Sequence, residues 1–410
     1  MEKSENIVDF PIESVEEGIV RVDVPKLDDL IEPCLQCNRS RAPVFYNPVM
    51  EFNRDIAVLA LQAYQREVRR EITICEPLTG CGIRGLRYAA EIKGVKEVVI
   101  NDISVRAFRL AHHNVKRNRL IGRVVTLNQD ANFLLNSHSR SRTRFDAIDV
   151  DPFGSPVRYL DSALRAIRNG GLLALTATDM AALCGVHPKA CARRYGGRPL
   201  RTEYCHEIAI RLLLGCVAMT ASKYDLEVNV RFSYKADHYI RTFFTLEYGA
   251  KKANGNMDKM GYIRHCFSCL HRVLHRSLFD PSLLTKCDEC GSPVHSAGPL
   301  WLGTLTDADF CKRVEEETAS KAFRYGQRIR QLLITIKGET DAPPTYYVLD
   351  RICAKLGLRV PSIQRVTRAL KQSGFQAAPT HFNSRGIKSD ASVRDMKAIM
   401  NHVTSTTSFK

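Results

Sequence analysis

The chain has 410 residues, room for two or three domains at roughly 150 residues each. With 44% hydrophobic and 25% charged residues, global disorder is excluded. Sixty Lys and Arg against 44 Asp and Glu leave a net charge of +16, which points to a polyanionic partner, most often nucleic acid. The most apolar run, around Ile208–Ala221, is interrupted by Arg211, so no membrane-spanning helix is expected. Residues 1–10 are acidic and polar, unlike a signal peptide, so the 14 cysteines read as cytoplasmic thiols, some of them metal ligands.

In chain order, Glu17–Pro25 alternates apolar and polar residues and predicts a short strand. A long helix is expected after Asn47-Pro48, with Val49, Phe52, Ile56, Leu59 and Ala63 on its buried face and an end near Arg70. Strands and helices then alternate. Strands are expected at Ile72–Pro77, Glu97–Asn101, Val124–Leu127, Phe145–Val150 and Leu172–Ala177. Helices are expected at Arg84–Ile92, after the cap Ser104, and at Pro156–Arg168, the last stopping at Gly170-Gly171. This rhythm predicts an α/β fold with a parallel, doubly wound sheet. A helix at Cys205–Lys223 and an antiparallel strand pair, Val228–Ser233 and Ile240–Tyr248, finish it. The polar stretch Lys251–Lys259 reads as a boundary. Beyond it come a cysteine-rich module, one long helix at Asp309–Ile336, and a helix pair at Tyr346–Leu356 and Ser362–Ser373. Residues 251–410 hold 25 Lys and Arg against 14 Asp and Glu, so most of the surplus charge lies there.

Gly80-Cys81-Gly82-Ile83-Arg84-Gly85 fits G-x-G-x-x-G between a strand and a helix, the context in which backbone N–H groups meet a nucleotide-like ligand. Asp102, about 20 residues on at the end of the next strand, can accept both ribose hydroxyls of an adenosine. Asp130-Ala131 follows the third strand, where a polar residue can read an adenine amino group. These features suit a dinucleotide or S-adenosylmethionine equally.

Asp151-Pro152-Phe153-Gly154 ends the fourth strand at the carboxyl edge of the sheet. A nicotinamide dehydrogenase has no use for this tetrad. Methyl transfer to an exocyclic nucleobase amine does, because that nitrogen's lone pair is delocalised into the ring. Asp151 can accept a hydrogen bond from the amine and take its proton, Pro152 fixes a neighbouring carbonyl as a second acceptor, and Phe153 can stack on the base.

With these residues in this order, the sequence resembles the tRNA (guanine-26, N2)-dimethyltransferases, above all their archaeal members. The resemblance is carried by "EGIVRVDVPK" (Glu17–Lys26), "VFYNPVMEFNRDIAV" (Val44–Val58), "EPLTGCGIRGLRYA" (Glu76–Ala89), "VDPFGSP" (Val150–Pro156), "TDMAALCGVHPKACARRYGG" (Thr178–Gly197), "YCHEIAIRLLLG" (Tyr204–Gly215) and "THFNSRGIKSDA" (Thr380–Ala391). It implies a Rossmann-like, S-adenosylmethionine-dependent methyltransferase domain, with Arg54 and Arg84 contacting the cofactor, Asp102, Asp130 and Ala131 on the adenosine, and Phe45 facing the target guanine opposite Phe153. Read without the resemblance, Arg54 is as well suited to exposed surface, and Phe45 to the core.

Cys266-x2-Cys269 and Cys287-x2-Cys290, 17 residues apart, have the spacing of a four-cysteine structural Zn2+ ribbon. Cys34-x2-Cys37 has no second pair nearby and is read as ordinary or redox-sensitive thiols. His112, His113, His187 and His206 show no metal spacing and are read as structural. "CARRYGGRPLR" (Cys191–Arg201) reads as a flexible basic loop able to grip phosphates, and Ser362–Ser373 as the second helix of a helix-turn-helix or winged-helix unit. The expected organisation is a catalytic domain over residues 1–250 and a smaller α+β domain over 251–410, with the ribbon and a winged-helix-like tail, that docks tRNA. The expected state is a monomer. Two further readings fit the residues: methyl transfer to another exocyclic amine in rRNA or DNA, and a non-catalytic zinc-containing RNA-binding protein.

Overall fold

Two antiparallel strands, β1 (Ile12–Glu17) and β2 (Val20–Pro25), stand where one strand was expected. In β1 only Ile12 and Val15 are apolar, too weak an alternation to read from sequence. Gly18 turns between them at φ +59°; a Cβ there would lie 2.0 Å from Glu91 Oε1. The computed structural model describes residues 8–26, 42–278 and 285–405, so Cys34 and Cys37 lie outside the described residues.

The Asn47 side chain accepts from Val49 N and starts a single 3-10 turn that leads into α1 (Glu51–Val68). Phe52–Tyr64 are all buried, so this helix is enclosed all round rather than along one stripe. Its polar residues therefore need protein partners; Gln62 Oε1, for example, accepts from Lys93 N at 2.8 Å.

The alternating region follows as β3 (Ile72–Glu76), α2 (Ile83–Glu91), β4 (Val95–Asn101), α3 (Val105–Arg117), β5 (Val124–Leu127), α4 (Ala131–Ser137), β6 (Phe145–Val150), α5 (Leu160–Ala166) and β7 (Ile167–Ala177). The five strands are parallel in the order β5-β4-β3-β6-β7. The fold is Rossmann-like α/β. Strand order reverses between β3 and β6, and the crevice at such a switch point is where these sheets bind ligands. One boundary differs from expectation: Pro156–Tyr159 is a 3-10 turn, and β7 already begins at Ile167. Gly170, at φ +74°, and Gly171 lie inside the strand as an irregularity rather than stopping a helix before it.

These elements, up to residue 152, form one compact unit with residues 159–175 and a late segment, 312–330. Residues 153–158, 176–311 and 331–410 form a second.

The second unit contains α6 (Met180–Leu183), α7 (Pro188–Tyr195), α8 (Cys205–Ser222), β8 (Leu226–Ala236), β9 (Tyr239–Tyr248), α9 (Ala250–Asp258), β10 (Met260–His265), β11 (Arg272–His275) and β12 (His295–Trp301). The expected basic loop at Cys191–Arg201 is partly helix α7, and Tyr195 is buried with its hydroxyl 2.6 Å from Asp179 Oδ1. Among the described residues α8 alone is long and apolar enough to cross a membrane, but most of it is buried in protein. Its Arg211 and Glu207 pair at 2.8 Å, and Lys388 Nζ reaches Glu207 at 2.7 Å. Strands β8 and β9 pair antiparallel, as expected. The polar stretch read as a boundary is helix α9. Its Asn256 is fully buried, donating to Leu226 O and accepting from Val228 N. Strands β11-β10-β12 form a small sheet.

The single helix expected over Asp309–Ile336 is two, α10 (Ala308–Ala319) and α11 (Gly326–Gly338). The break is anchored within the first unit: Arg87 lies over the Phe323 ring at 5.1 Å, and Tyr325 meets Phe52 edge-on at 6.0 Å. These contacts override the helical pattern. The chain ends in β13 (Tyr347–Val348), α12 (Leu349–Leu356), α13 (Ile363–Gln372), β14 (Ala377–Thr380), β15 (Asn383–Ser389) and α14 (Val393–Ser405), with sheet order β13-β15-β14. Leu349, Ile352, Val366, Leu370, Ile387 and Met396 make their shared core.

Candidate active site

The glycine loop joins β3 to α2 at the switch point. Gly80 and Gly82 have φ +57° and +86°, and Gly82 is the N-cap of α2. A Cβ on Gly80 would lie 3.0 Å from the Phe45 carbonyl, so the backbone at Phe45 passes close over the loop. Gly85 has a different reason: a Cβ there would lie 2.2 Å from Ile100, so its smallness lets α2 pack on β4.

Asp102 follows β4. Its Oδ2 accepts from Gly80 N and its Oδ1 from Ser104 N, both at 2.9 Å. Burial pushes its carboxyl up, and these backbone donors pull the other way. The residue beside it, Ile103, is 66% exposed, an apolar surface that sequence reading passed over. Asp130 caps α4, one oxygen accepting from Phe133 N at 3.0 Å, and Ala131 is buried.

Arg54 is not surface. It is 5% exposed and donates to both oxygens of Glu17, at 2.6 and 2.5 Å, and to Asn47 O. Glu17 also accepts from Arg87 Nη1 at 2.8 Å, and Arg87 reaches Asp55 at 2.7 Å and Glu91 at 2.8 Å. Burial raises the Glu17 carboxyl, but the Arg54 and Arg87 guanidiniums outweigh it and hold it below its ordinary value. Asp55, with Arg87 opposing its burial less effectively, is pushed up to about 6. Neighbouring Asn53 is fully buried, and its amide atoms have no hydrogen-bond partner among the described residues. A polar ligand group at this point would satisfy it.

Arg84, read as a cofactor contact, is 3% exposed and faces three carboxylates. Its Nη2 is hydrogen-bonded to Asp151 Oδ2, its Nη1 lies 3.4 Å from Asp149 Oδ2, and its Nε lies 3.6 Å from Glu76 Oε1. The Tyr88 hydroxyl donates to Asp149. Glu76 Oε2 accepts from Thr79 Oγ1 at 2.6 Å and from Gly85 N at 2.9 Å. Burial pushes the Glu76 carboxyl up to about 8, the Arg84 charge and the Thr79 hydrogen bond pulling against it. Arg84 is thus the cation shared by the buried Glu76 and Asp149 and the partly exposed Asp151. Sequence reading missed Glu76, Asp149 and Tyr88. The signal was there: Asp149 and Asp151 are two apart on a strand, and Arg84 and Tyr88 four apart on a helix, so each pair shares a face.

The Asp151 side chain is 17% exposed, Pro152 is buried and Phe153 is 65% exposed. Gly154, at φ +78°, is held by Thr178: Gly154 N donates to Thr178 Oγ1 at 2.8 Å, and Thr178 N to Gly154 O at 2.9 Å. An accessible carboxylate, fixed by a buried guanidinium and followed by an exposed aromatic, can take a proton from an amine on a flat ring.

A sequence profile for N2,N2-dimethylguanosine tRNA methyltransferases matches residues 18–401. The chain belongs to this family. It is 39% identical over 398 residues to the tRNA (guanine(26)-N(2))-dimethyltransferase of Methanobrevibacter smithii, covering 97% of this chain and 99% of that one. It is 35% identical over 387 residues to the tRNA (guanine(26)-N(2)/guanine(27)-N(2))-dimethyltransferase of Aquifex aeolicus, covering 94% and 95%. Among solved structures it is similar to Trm1 from Pyrococcus horikoshii in complex with S-adenosyl-L-methionine, at 34% identity and TM-score 0.81, covering 95% of this chain and 99% of that one.

The four ribbon cysteines of this family member meet in space. Cys266 and Cys290 sulfurs are 3.5 Å apart, Cys269 and Cys287 sulfurs 3.6 Å, and all four lie within 4.8 Å of one another. Tetrahedral Zn–S bonds of about 2.3 Å place sulfurs about 3.8 Å apart, so the set fits the ion. The two knuckles match: Leu270 N donates to Cys266 O and Gly291 N to Cys287 O, and Leu270 and Gly291 both have φ +70°.

Proposed function

We propose that this chain is an S-adenosylmethionine-dependent tRNA methyltransferase that dimethylates N2 of guanine 26. The observation that carries the reading is Asp151, held by Arg84 at the carboxyl end of β6 and followed by Pro152 and the exposed Phe153, in a chain matched along nearly its whole length by tRNA guanine-N2 dimethyltransferases.

S-adenosylmethionine supplies the electrophilic methyl group. Gly80, Gly82, Gly85, Asp102, Asp130 and Ala131 hold its adenosine end, and Arg54 and Asn53 its methionyl end. Arg54 then shares its guanidinium between Glu17 and the ligand. The target guanine leaves its stack to reach the pocket. Phe153 and Phe45 hold the ring, and the Pro152 backbone fixes the approach. Asp151 would accept the proton released as the nitrogen–methyl bond forms and the sulfonium–methyl bond breaks, the thioether being the leaving group; with that proton passed to solvent and a second S-adenosylmethionine bound, the step would repeat on the monomethylated amine. Arg84 acts through Asp151 and is a positioning residue in this scheme.

Residues 1–250, with the late segment 312–330 that belongs to the first unit, carry the chemistry, and the rest of residues 251–410 dock the tRNA. Cys266, Cys269, Cys287 and Cys290 hold a structural Zn2+ that leaves no position for water. Arg193, Arg198 and Arg201 near α7, and Arg365, Arg368 and Lys371 on α13, are exposed and suit phosphate contacts. The enzyme works as a cytoplasmic monomer.

The test is methyl transfer from labelled S-adenosylmethionine to two tRNA transcripts differing only in guanosine or adenosine at position 26, with nucleoside mapping. Dimethylguanosine from the first alone is expected. Equal labelling of both would overturn the site, and no labelling with cofactor bound would overturn the substrate.

A further inference from the structure

Cys184 stands 21 residues before Cys205, and Cys205 and His206 are adjacent, so the three show no metal spacing in the sequence. Within the second unit the fold brings two sulfurs and an imidazole nitrogen of these residues within 4.8 Å of one another, each side chain only partly buried. We propose that Cys184, Cys205 and His206 form a second metal site, separate from the ribbon, for a thiophilic divalent cation of the Zn2+ class.

The local structure supports this. Cys184 ends α6, its N–H donating to Met180 O at 2.8 Å, and its sulfur lies 3.8 Å from Cys205 O. Gly185, at φ +90°, turns the chain so closely that a Cβ would lie 3.1 Å from Arg201 N. The approach to Cys205 is thus fixed on the other side. Cys205 and His206 are the first two residues of α8, whose preceding residue, Tyr204, makes no side-chain cap. Glu207 N and Ile208 N turn back to Tyr204 O, so Cys205 stands at the positive end of the helix, which favours a thiolate.

Two thiolates neutralise a dication, so no net charge is left half-buried. Ligand atoms around tetrahedral zinc stand about 3.3–3.8 Å apart, within reach of small side-chain rotations here. A disulfide would use the sulfurs and leave the imidazole without a role. A metal uses all three groups, and their partial exposure admits water as the fourth ligand.

Such an ion would clamp a particular loop. The segment ending at Cys184 starts at Thr178, whose two hydrogen bonds hold Gly154 beside Phe153. Loss of the metal would loosen the aromatic proposed to hold the base.

The test uses the full-length protein and Co2+. After metal removal the wild type should take up about two equivalents, one with the intense bands of four thiolates and one with weaker thiolate bands shifted by imidazole and water. Cys184→Ser and, separately, His206→Gln should each take up about one equivalent, with the four-thiolate bands unchanged. A wild type that binds a single equivalent, or variants that both match the wild type, overturns the proposal. Alkylation of the wild type, read by mass spectrometry, provides a check that needs no variant. Zn2+ should protect Cys184 and Cys205 together. Equal labelling with and without Zn2+, or a Cys184–Cys205 disulfide in the purified chain, overturns it as well.

Discussion

Arg84, rooted in the first turn of α2, is hydrogen-bonded through Nη2 to Asp151 Oδ2 at the end of β6. The contact joins the glycine loop's helix to the residue proposed as the proton acceptor. It ties the position of Asp151 to a side chain that is itself almost wholly buried.

Replacing Arg84 by Met removes the cation that Asp151 and Asp149 share. Asp151 then loses the hydrogen bond that aims it. A proton acceptor works only when it is held against the amine, so transfer falls by about 10²–10⁴-fold while the cofactor still binds. Single-turnover rates on the variant, with cofactor affinity measured alongside, check this; a wild-type rate would show that Arg84 does not position Asp151.

Asp151→Ala removes the proposed acceptor and leaves the glycine loop and Asp102 intact. Transfer should fall by about 10²–10⁴-fold while S-adenosylmethionine still binds. Calorimetry and turnover on one preparation separate the two effects. Turnover like the wild type would remove Asp151 from the mechanism.

Glu76 gives a pH signature in stability. Its ordinary value is 4.5 and burial takes it to about 8, so across that window the folded chain binds a proton that the unfolded chain releases. Stability attributable to this group is therefore full below about 4.5, falls as pH rises, and stops falling above about 8. Glu76→Gln keeps an acceptor for Thr79 and Gly85 and cannot ionise. Between pH 6 and 8, above the Asp55 value of about 6, urea midpoints of the variant should decline less than those of the wild type. Parallel declines would place the titration elsewhere.

Glu17→Ala leaves Arg54 and Arg87 buried without their shared anion. A broken buried pair costs about 3–5 kcal/mol, and the variant should lose stability of that order in denaturant. Glu17→Gln, which keeps two polar atoms, should lose less. A cost below about 1 kcal/mol for the alanine variant, the scale of an exposed pair, would mean that the arginines find other partners.

On α13, Arg368→Ala and Lys371→Ala should each weaken tRNA binding across sequences and reduce the slope of log K against log salt by about one. Filter binding at several salt concentrations measures it. An unchanged slope would move the RNA surface off this helix.

Much of this was open to reading in the sequence. Strands β3 and β4 carry buried, β-branched runs, and Ser104 and Asp130 both cap helices in the structure. The glycine loop and the tetrad were legible because tight turns and strand ends constrain residue type locally. What failed depended on distant partners. Arg54 on a polar helix start looks exposed until Glu17 is placed beside it. The break between α10 and α11 exists because Phe323 and Tyr325 pack on Arg87 and Phe52, which no window around residue 320 contains. Helix α9 looked like a linker because Asn256, its buried anchor, is a residue typical of loops.

The late segment that completes the first unit sets a timetable for synthesis. Arg313 pairs with Glu67 across 246 residues of chain, and Tyr325 meets Phe52 across a still longer interval. At about 5–20 residues per second, a ribosome delivers these partners roughly 12–50 seconds after the helix they cover. Throughout that interval the α1 surface around Phe52 and Glu67 waits uncovered. A nascent chain stalled before residue 312 therefore presents an unfinished enzyme to chaperones and proteases.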